Sequence, residues 1–171
     1  MMEKSNAAQK EEKQASILEL QARWNKIRIA NLYDALDSMG YPNQCLDLGI
    51  RPLFPKQHLA GVAVTVRGSR DPRTPEDFKK EGGGVNYFQQ LLECVFPGAV
   101  VVVETGGEPH TGKFGEMTSW ALKQRGAKGI VIDGYIRDYL GLEVIPDYTV
   151  CARGTSPIES SKRWRINAVN I

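Results

Sequence analysis

Apolar positions along the chain form short runs of strand length, interleaved with segments of helical spacing. Val100-Val101-Val102-Val103 and Gly129-Ile130-Val131-Ile132 are two such runs. Gly61-Val62-Ala63-Val64-Thr65-Val66 is a third, rich in β-branched residues. Between the first two lies FGEMTSWALKQRG, a helical segment that opens at Gly115-Glu116 and stops at Gly126. The order is strand, glycine loop, helix, strand, polar loop, which is the pattern of a βαβ unit.

The other elements fall around this centre. Ser16-Ile17-Leu18-Glu19 reads as a capping box for a helix running to about Arg28, with Ile17, Leu20 and Trp24 on one face. Asn31 is placed to cap a second helix, Leu32 to Met39, closed by Gly40. Thr74-Pro75 can start a short helix. Val85, Phe88, Leu91, Leu92 and Val95 keep a helical 3,4 spacing, and Pro97-Gly98 ends that segment with a turn. Tyr148 to Ala152 and Arg165 to Ile171 read as further strands. Residues 1–15 are polar and charged and read as a flexible leader, leaving 16–171 as a single domain. The chain stops on an apolar strand, which points to a longer domain cut at its C-terminus.

In a parallel βαβ unit the loops after both strands lie at one edge of the sheet. Glu116 begins the helix that leaves the first strand, and Arg137-Asp138 follow the second, twenty residues further on. All three side chains are therefore expected at the edge where open α/β sheets bind ligands. Two carboxylates, a guanidinium and a helix N-terminus suit a hard cation with an anionic ligand. The same residues also fit a surface turn pair and an acid favoured by the helix dipole.

Composition narrows the class. The 171 residues suffice for one domain with a sizeable core, and 42% hydrophobic and 25% charged residues are ordinary for a globular protein. A formal charge of +2, with no dense Lys/Arg tract, argues against direct nucleic-acid binding. The apolar runs are too short for a transmembrane helix, and the N-terminus lacks a signal-peptide core. Three scattered cysteines, Cys45, Cys94 and Cys151, fit a reducing cytoplasm. No spacing links His58 and His110 as metal ligands.

One competing motif sits in the glycine loop. Gly107 to Lys113 satisfies GxxxxGK, and Asp133 ends the following strand where a magnesium-binding aspartate belongs. Phe114 stands where that motif needs Ser or Thr, and Glu116 at the helix start would repel a phosphate. Nucleotide hydrolysis is therefore set aside.

The stretch PGAVVVVETGG…GEMTSWALKQRGAKGIVIDGYIRD resembles the signature region of the RraA-like family. Asn31 to Leu36, Ala60 to Val66 and Ala152 to Pro157 also resemble family segments, so the resemblance covers about Ile29 to Ile171. It implies an α/β fold, a swivelling β/β/α-type RraA-like domain with N-terminal helices. The family includes metal-dependent aldolases of 4-hydroxy-4-methyl-2-oxoglutarate that also decarboxylate oxaloacetate, and regulators of ribonuclease E activity. The resemblance implies that Asp138 binds Mg²⁺ or Mn²⁺ directly and that Glu116, where the family commonly has aspartate, acts through metal-bound water. It implies that Arg137 grips the pyruvyl part of the substrate. The amides of Met117 and Thr118, beside Gly115, would hold the carboxylate, and Gly106-Gly107 would shape the wall. A divalent ion would stabilise the enolate left by cleavage, so no Schiff-base lysine is needed.

The resemblance further implies homotrimers, or hexamers built from them, with sites between subunits. Ala99 replaces the aspartate of the family's PGD turn. A later acid that reaches a neighbouring site in the family's aldolases lies beyond Ile171. The leading expectation is a cytoplasmic metal-dependent lyase releasing pyruvate from a small 2-keto acid. The alternative is a non-catalytic regulator that binds a ribonuclease or another protein.

Overall fold

The computed structural model describes residues 2–80 and 87–171. Its centre is a six-stranded sheet. In chain order the strands are β1 (Arg51–Pro52), β2 (Val62–Arg70), β3 (Ala99–Glu104), β4 (Gly129–Asp133), β6 (Thr149–Ala152) and β8 (Trp164–Val169). Their spatial order is β1-β6-β4-β3-β2-β8. The inner strands β2, β3, β4 and β6 run parallel, and both edge strands are antiparallel to their neighbours. Two short strands, β5 (Tyr135–Ile136) and β7 (Gly154–Thr155), pair in parallel as a second small sheet.

The βαβ pattern forms as read. β3 pairs with β4 in register Val100 to Gly129, and α5 (Glu116–Gln124) connects them. Gly126, at φ +98°, ends that helix turn in a conformation only glycine adopts freely. Strand alternation then sorts the sheet into two faces. Val64, Val66, Val101, Val103, Ile130, Ile132 and Val150 are almost wholly buried and face the helical side. There α5 packs on β4, and α4 (Tyr87–Cys94) packs on β8. The opposite face carries the half-buried Thr65, Val102, Val131 and Cys151, with the exposed Arg67, Glu104, Asp133 and Arg153 in the next row. Glu104 and Asp133 lie opposite each other, and each like charge is met by an arginine. Arg67 Nε donates to Glu104 at 3.1 Å and Arg153 Nε to Asp133 at 2.5 Å. Arg153 also donates to Asp47, holding that carboxyl below its ordinary range.

The N-terminal region departs from the sequence expectation. The segment 1–15, expected as a flexible leader, is helical from Met2 and continuous with the rest of α1 (Met2–Trp24). Ser16 therefore lies inside a helix and does not cap one. Glu, Lys, Gln and Ala have high helix propensity without an apolar stripe, so hydrophobic spacing does not register them. Two glutamines tie α1 to the amino-terminal edge of the sheet. Gln14 donates to Pro97 O, and the buried Gln21 amide donates to both Ala60 O (2.6 Å) and Gly98 O (3.0 Å). The second helix, α2 (Ile29–Ser38), starts before Asn31, with Arg28 at its N-cap and no side-chain cap. The Thr74 cap does form for α3 (Pro75–Lys80). Asp77 accepts from the Thr74 amide and hydroxyl, and its own amide donates to Thr74 Oγ1. The start of the helix expected from Val85 lies outside the described residues.

Candidate active site

The site forms where the carboxyl ends of β3 and β4 meet the start of α5. The first hydrogen bond inside α5 runs from Ser119 N to Gly115 O. The amides of Glu116, Met117 and Thr118 thus have no acceptor within the helix. Asp138 takes the first of them: the Glu116 amide donates to its Oδ2 at 3.2 Å. Asp138 itself stands in the left-handed region (φ 58°, ψ 49°) just before α6 (Tyr139–Glu143). Aspartate tolerates that conformation better than most residues. The turn aims its carboxylate back at α5.

Arg137 lies beside it, with Nε 3.9 Å from Asp138 Oδ1. That Nε is buried and has no hydrogen-bond partner. A buried donor left unpaired is costly, so its presence here points to a ligand acceptor. Both residues line an open cavity of about 1050 Å³. Gly112, Gly115, Met117 and Thr118 form its near wall, and Trp164, Arg165 and Asn167 its far wall. Arg73 reaches the same cavity, fixed by a bidentate pair with the buried Asp71 carboxylate.

Glycines make room for the site's side chains. A Cβ at Gly115 would overlap Asp138 Oδ2 and lie 3.3 Å from its Cγ. A Cβ at Gly112 would overlap Arg137 Cγ. Glu116 is held further back: its side chain folds over Gly141 in α6 and does not line the cavity. Gly106 and Gly107 are also away from the cavity lining. Gly106, at φ +65°, packs on the backbone of Gly68 and Ser69, and Gly107 has open space around it. Thr65 bonds to Ile171 through its hydroxyl and takes no part in the cavity.

Sequence reasoning missed the group that shapes the glycine loop. Lys113 is fully buried, and its ammonium donates to Glu108 Oε2 (2.6 Å), Glu108 O (2.8 Å) and Thr111 O (2.9 Å). Burial alone would raise the Glu108 carboxyl. Hydrogen bonds from Lys113, from the Thr111 hydroxyl and amide and from the His110 amide outweigh it and lower the pKa to about 2. The lysine of the GxxxxGK run is thereby spent inside its own loop as a brace. Its sequence signal was an acid five positions before a lysine, which the phosphate-loop reading obscured.

Among the described residues, no three His, Cys, Asp or Glu side chains converge as a metal-binding group. The donors do fit one kind of ion. Mg²⁺ dehydrates reluctantly and is commonly held by one or two carboxylates with water and substrate completing the shell. The half-exposed Asp138 carboxylate, which lines the cavity, offers one such ligand.

The model of the RraA-like family, described as Aldolase/RraA, matches residues 29–171, and the chain belongs to that family. Family members include aldolases or decarboxylases and RNase E inhibitors, and they are commonly oligomeric. Among solved structures, the fold is similar to a protein described among novel cellulases from gut-associated microbes. There the TM-score is 0.79 and the identity 22%, over 88% of this chain and 64% of that one. It is also similar to RraAS2 of Streptomyces coelicolor, an unusual member of the RNase ES inhibitor RraA protein family. For RraAS2 the TM-score is 0.73 and the identity 27%, over 90% of this chain and 71% of that one. The RNA-processing inhibitor RraA from Thermus thermophilis matches at TM-score 0.59 and 20% identity, over 84% of this chain and 77% of that one. This chain thus spans less than two thirds of the first of these proteins. None of the described helices is long and apolar enough to cross a membrane.

Proposed function

We propose that this protein is a divalent-metal-dependent lyase that cleaves a carbon–carbon bond in a small 2-keto acid, such as 4-hydroxy-4-methyl-2-oxoglutarate or oxaloacetate, and releases pyruvate. The observation that carries the reading is the unpartnered, buried Arg137 Nε beside an Asp138 carboxylate fixed on the α5 amide. Asp138 would hold Mg²⁺ or Mn²⁺ directly, and Glu116 would act through its water. The ion, when bound, supplies Lewis-acid stabilisation of charge on the keto oxygen.

The chain's own groups do the rest. Arg137 binds and orients the carboxylate end of the 2-keto acid as a charge-assisted donor. The free amides of Met117 and Thr118 present fixed positive potential to the same group. Cleavage of the C3–C4 bond leaves its electron pair on the pyruvyl side as an enolate. CO₂ leaves from oxaloacetate, or the 4-hydroxyl of the aldol substrate gives up its proton and becomes a carbonyl, and a proton from solvent at C3 completes pyruvate. These donors would hold the pyruvyl carboxylate in place as that charge develops.

Other features extend the reading. Met117, Leu140 and Val144 are 86%, 75% and 68% exposed beside the site. Apolar side chains so placed favour a neighbouring subunit in a homotrimer or hexamer, with sites between subunits. The same patch also supports the second reading, a non-catalytic RraA-type regulator that docks a ribonuclease or another protein. A coupled pyruvate assay on oxaloacetate with Mg²⁺, with and without EDTA, separates the two. EDTA-sensitive pyruvate release is expected of the lyase, and its absence leaves the regulator.

A further inference from the structure

The three charged side chains of the site each rest against one glycine, and one of these glycines sits where glycine is otherwise disfavoured. Gly141 lies within α6, where alanine would be about 1 kcal/mol better on helix propensity alone. Its φ is not positive, so the backbone does not demand glycine. The constraint is spatial. A Cβ at position 141 would overlap Oε2 and Cδ of Glu116 and lie 2.9 Å from its Cγ. No other chain segment is among its nearest contacts.

We propose that Gly141 is a positioning residue that sets where the Glu116 carboxylate stands behind Asp138. The two helices that meet here carry the two acids. α5 begins at Glu116, and α6 follows Asp138 directly. With hydrogen at position 141, Glu116 lies flat on the first turn of α6. Any larger side chain displaces the flexible acid and leaves both backbones in place. Glu116 and Gly141 are therefore a matched pair: with alanine at 116 nothing reaches over position 141, and glycine is no longer needed there.

This inference rests on the proposed metal-dependent reading of the site. Its test is a two-by-two set of wild type, Gly141→Ala, Glu116→Ala and the double variant. Each is measured for Mn²⁺ affinity by electron paramagnetic resonance and for melting temperature. Gly141→Ala is expected to weaken Mn²⁺ binding about tenfold, the scale for groups that orient a metal site from outside its ligand shell. Its melting temperature should stay level or rise, since the alanine favours the helix. In the Glu116→Ala background the same alanine should leave affinity unchanged. Wild-type protein that takes up no Mn²⁺ sinks the metal reading and this inference together. Wild-type binding that Gly141→Ala leaves untouched, or weakens equally in both backgrounds, overturns this inference alone.

Discussion

Asp138 and Glu116 are joined across 22 positions of chain: the amide of Glu116 donates to the Asp138 carboxylate at 3.2 Å. This contact closes the βαβ unit at the carboxyl edge of its strands. It also fixes the direction of the Asp138 carboxylate at the cavity. Gly115 makes the approach possible, since its φ of −95° is open to any residue while its missing Cβ is not. Gly115→Ala should therefore fold with a melting temperature within a few degrees of wild type. Its Cβ pushes the Asp138 carboxylate off the amide, and Mn²⁺ affinity should fall about tenfold in a titration.

Arg137 is expected to act on substrate more than on metal. Arg137→Ala should lower kcat/KM for oxaloacetate at least about hundredfold, most of it through KM, as loss of a charge-assisted donor implies. Arg137→Lys should recover little, because a single ammonium does not reproduce the guanidinium fork. Steady-state kinetics with saturating Mg²⁺ checks both.

The Glu108–Lys113 brace predicts a pH dependence of stability. The Glu108 pKa falls from an ordinary 4.5 to about 2 on folding. Its contribution is thus complete above pH 4.5 and is lost as pH falls toward 2. The full effect is roughly 3 kcal/mol, about 2 of which should be gone by pH 3. Urea unfolding at pH 7 and pH 3 should show this component in wild type and not in Glu108→Gln. Lys113→Met leaves the buried carboxylate without its counter-charge and should cost about 3–5 kcal/mol at pH 7.

How far the sequence was legible depended on the kind of signal each element carries. The four valines of β3, the apolar run of β4 and the stops at Gly115 and Gly126 state their periods plainly, so the βαβ unit and the placement of Arg137 and Asp138 at one edge could be read. β5 and β7 have two residues each and α6 has five, too few for any period to show. The glycine contacts were invisible for another reason. That Gly112 faces Arg137 and Gly141 faces Glu116 follows from tertiary approach, which no local spacing encodes. The first half of α1 was not legible because its polar, helix-favouring residues carry no apolar stripe, while Ile17, Leu20 and Trp24 marked the second half; the helix docks on the sheet edge through Gln14 and Gln21.

That docking gives its own prediction. Gln21 holds two carbonyls, of Ala60 and Gly98, at the amino-terminal edge of the sheet. Gln21→Ala leaves both without their donor and should cost about 1–3 kcal/mol in urea unfolding. Pyruvate release should be unchanged, because the site lies at the opposite edge.

The central claim is that Asp138 carries a metal-dependent cleavage. Asparagine keeps the shape of the side chain and tolerates the left-handed backbone at this position, so Asp138→Asn isolates the charge. The deciding measurement is Mg²⁺-dependent pyruvate release from oxaloacetate by wild type and Asp138→Asn, with and without EDTA. The account predicts EDTA-sensitive turnover in wild type and a loss of at least about hundredfold in the variant. Turnover that survives both EDTA and Asp138→Asn would contradict it.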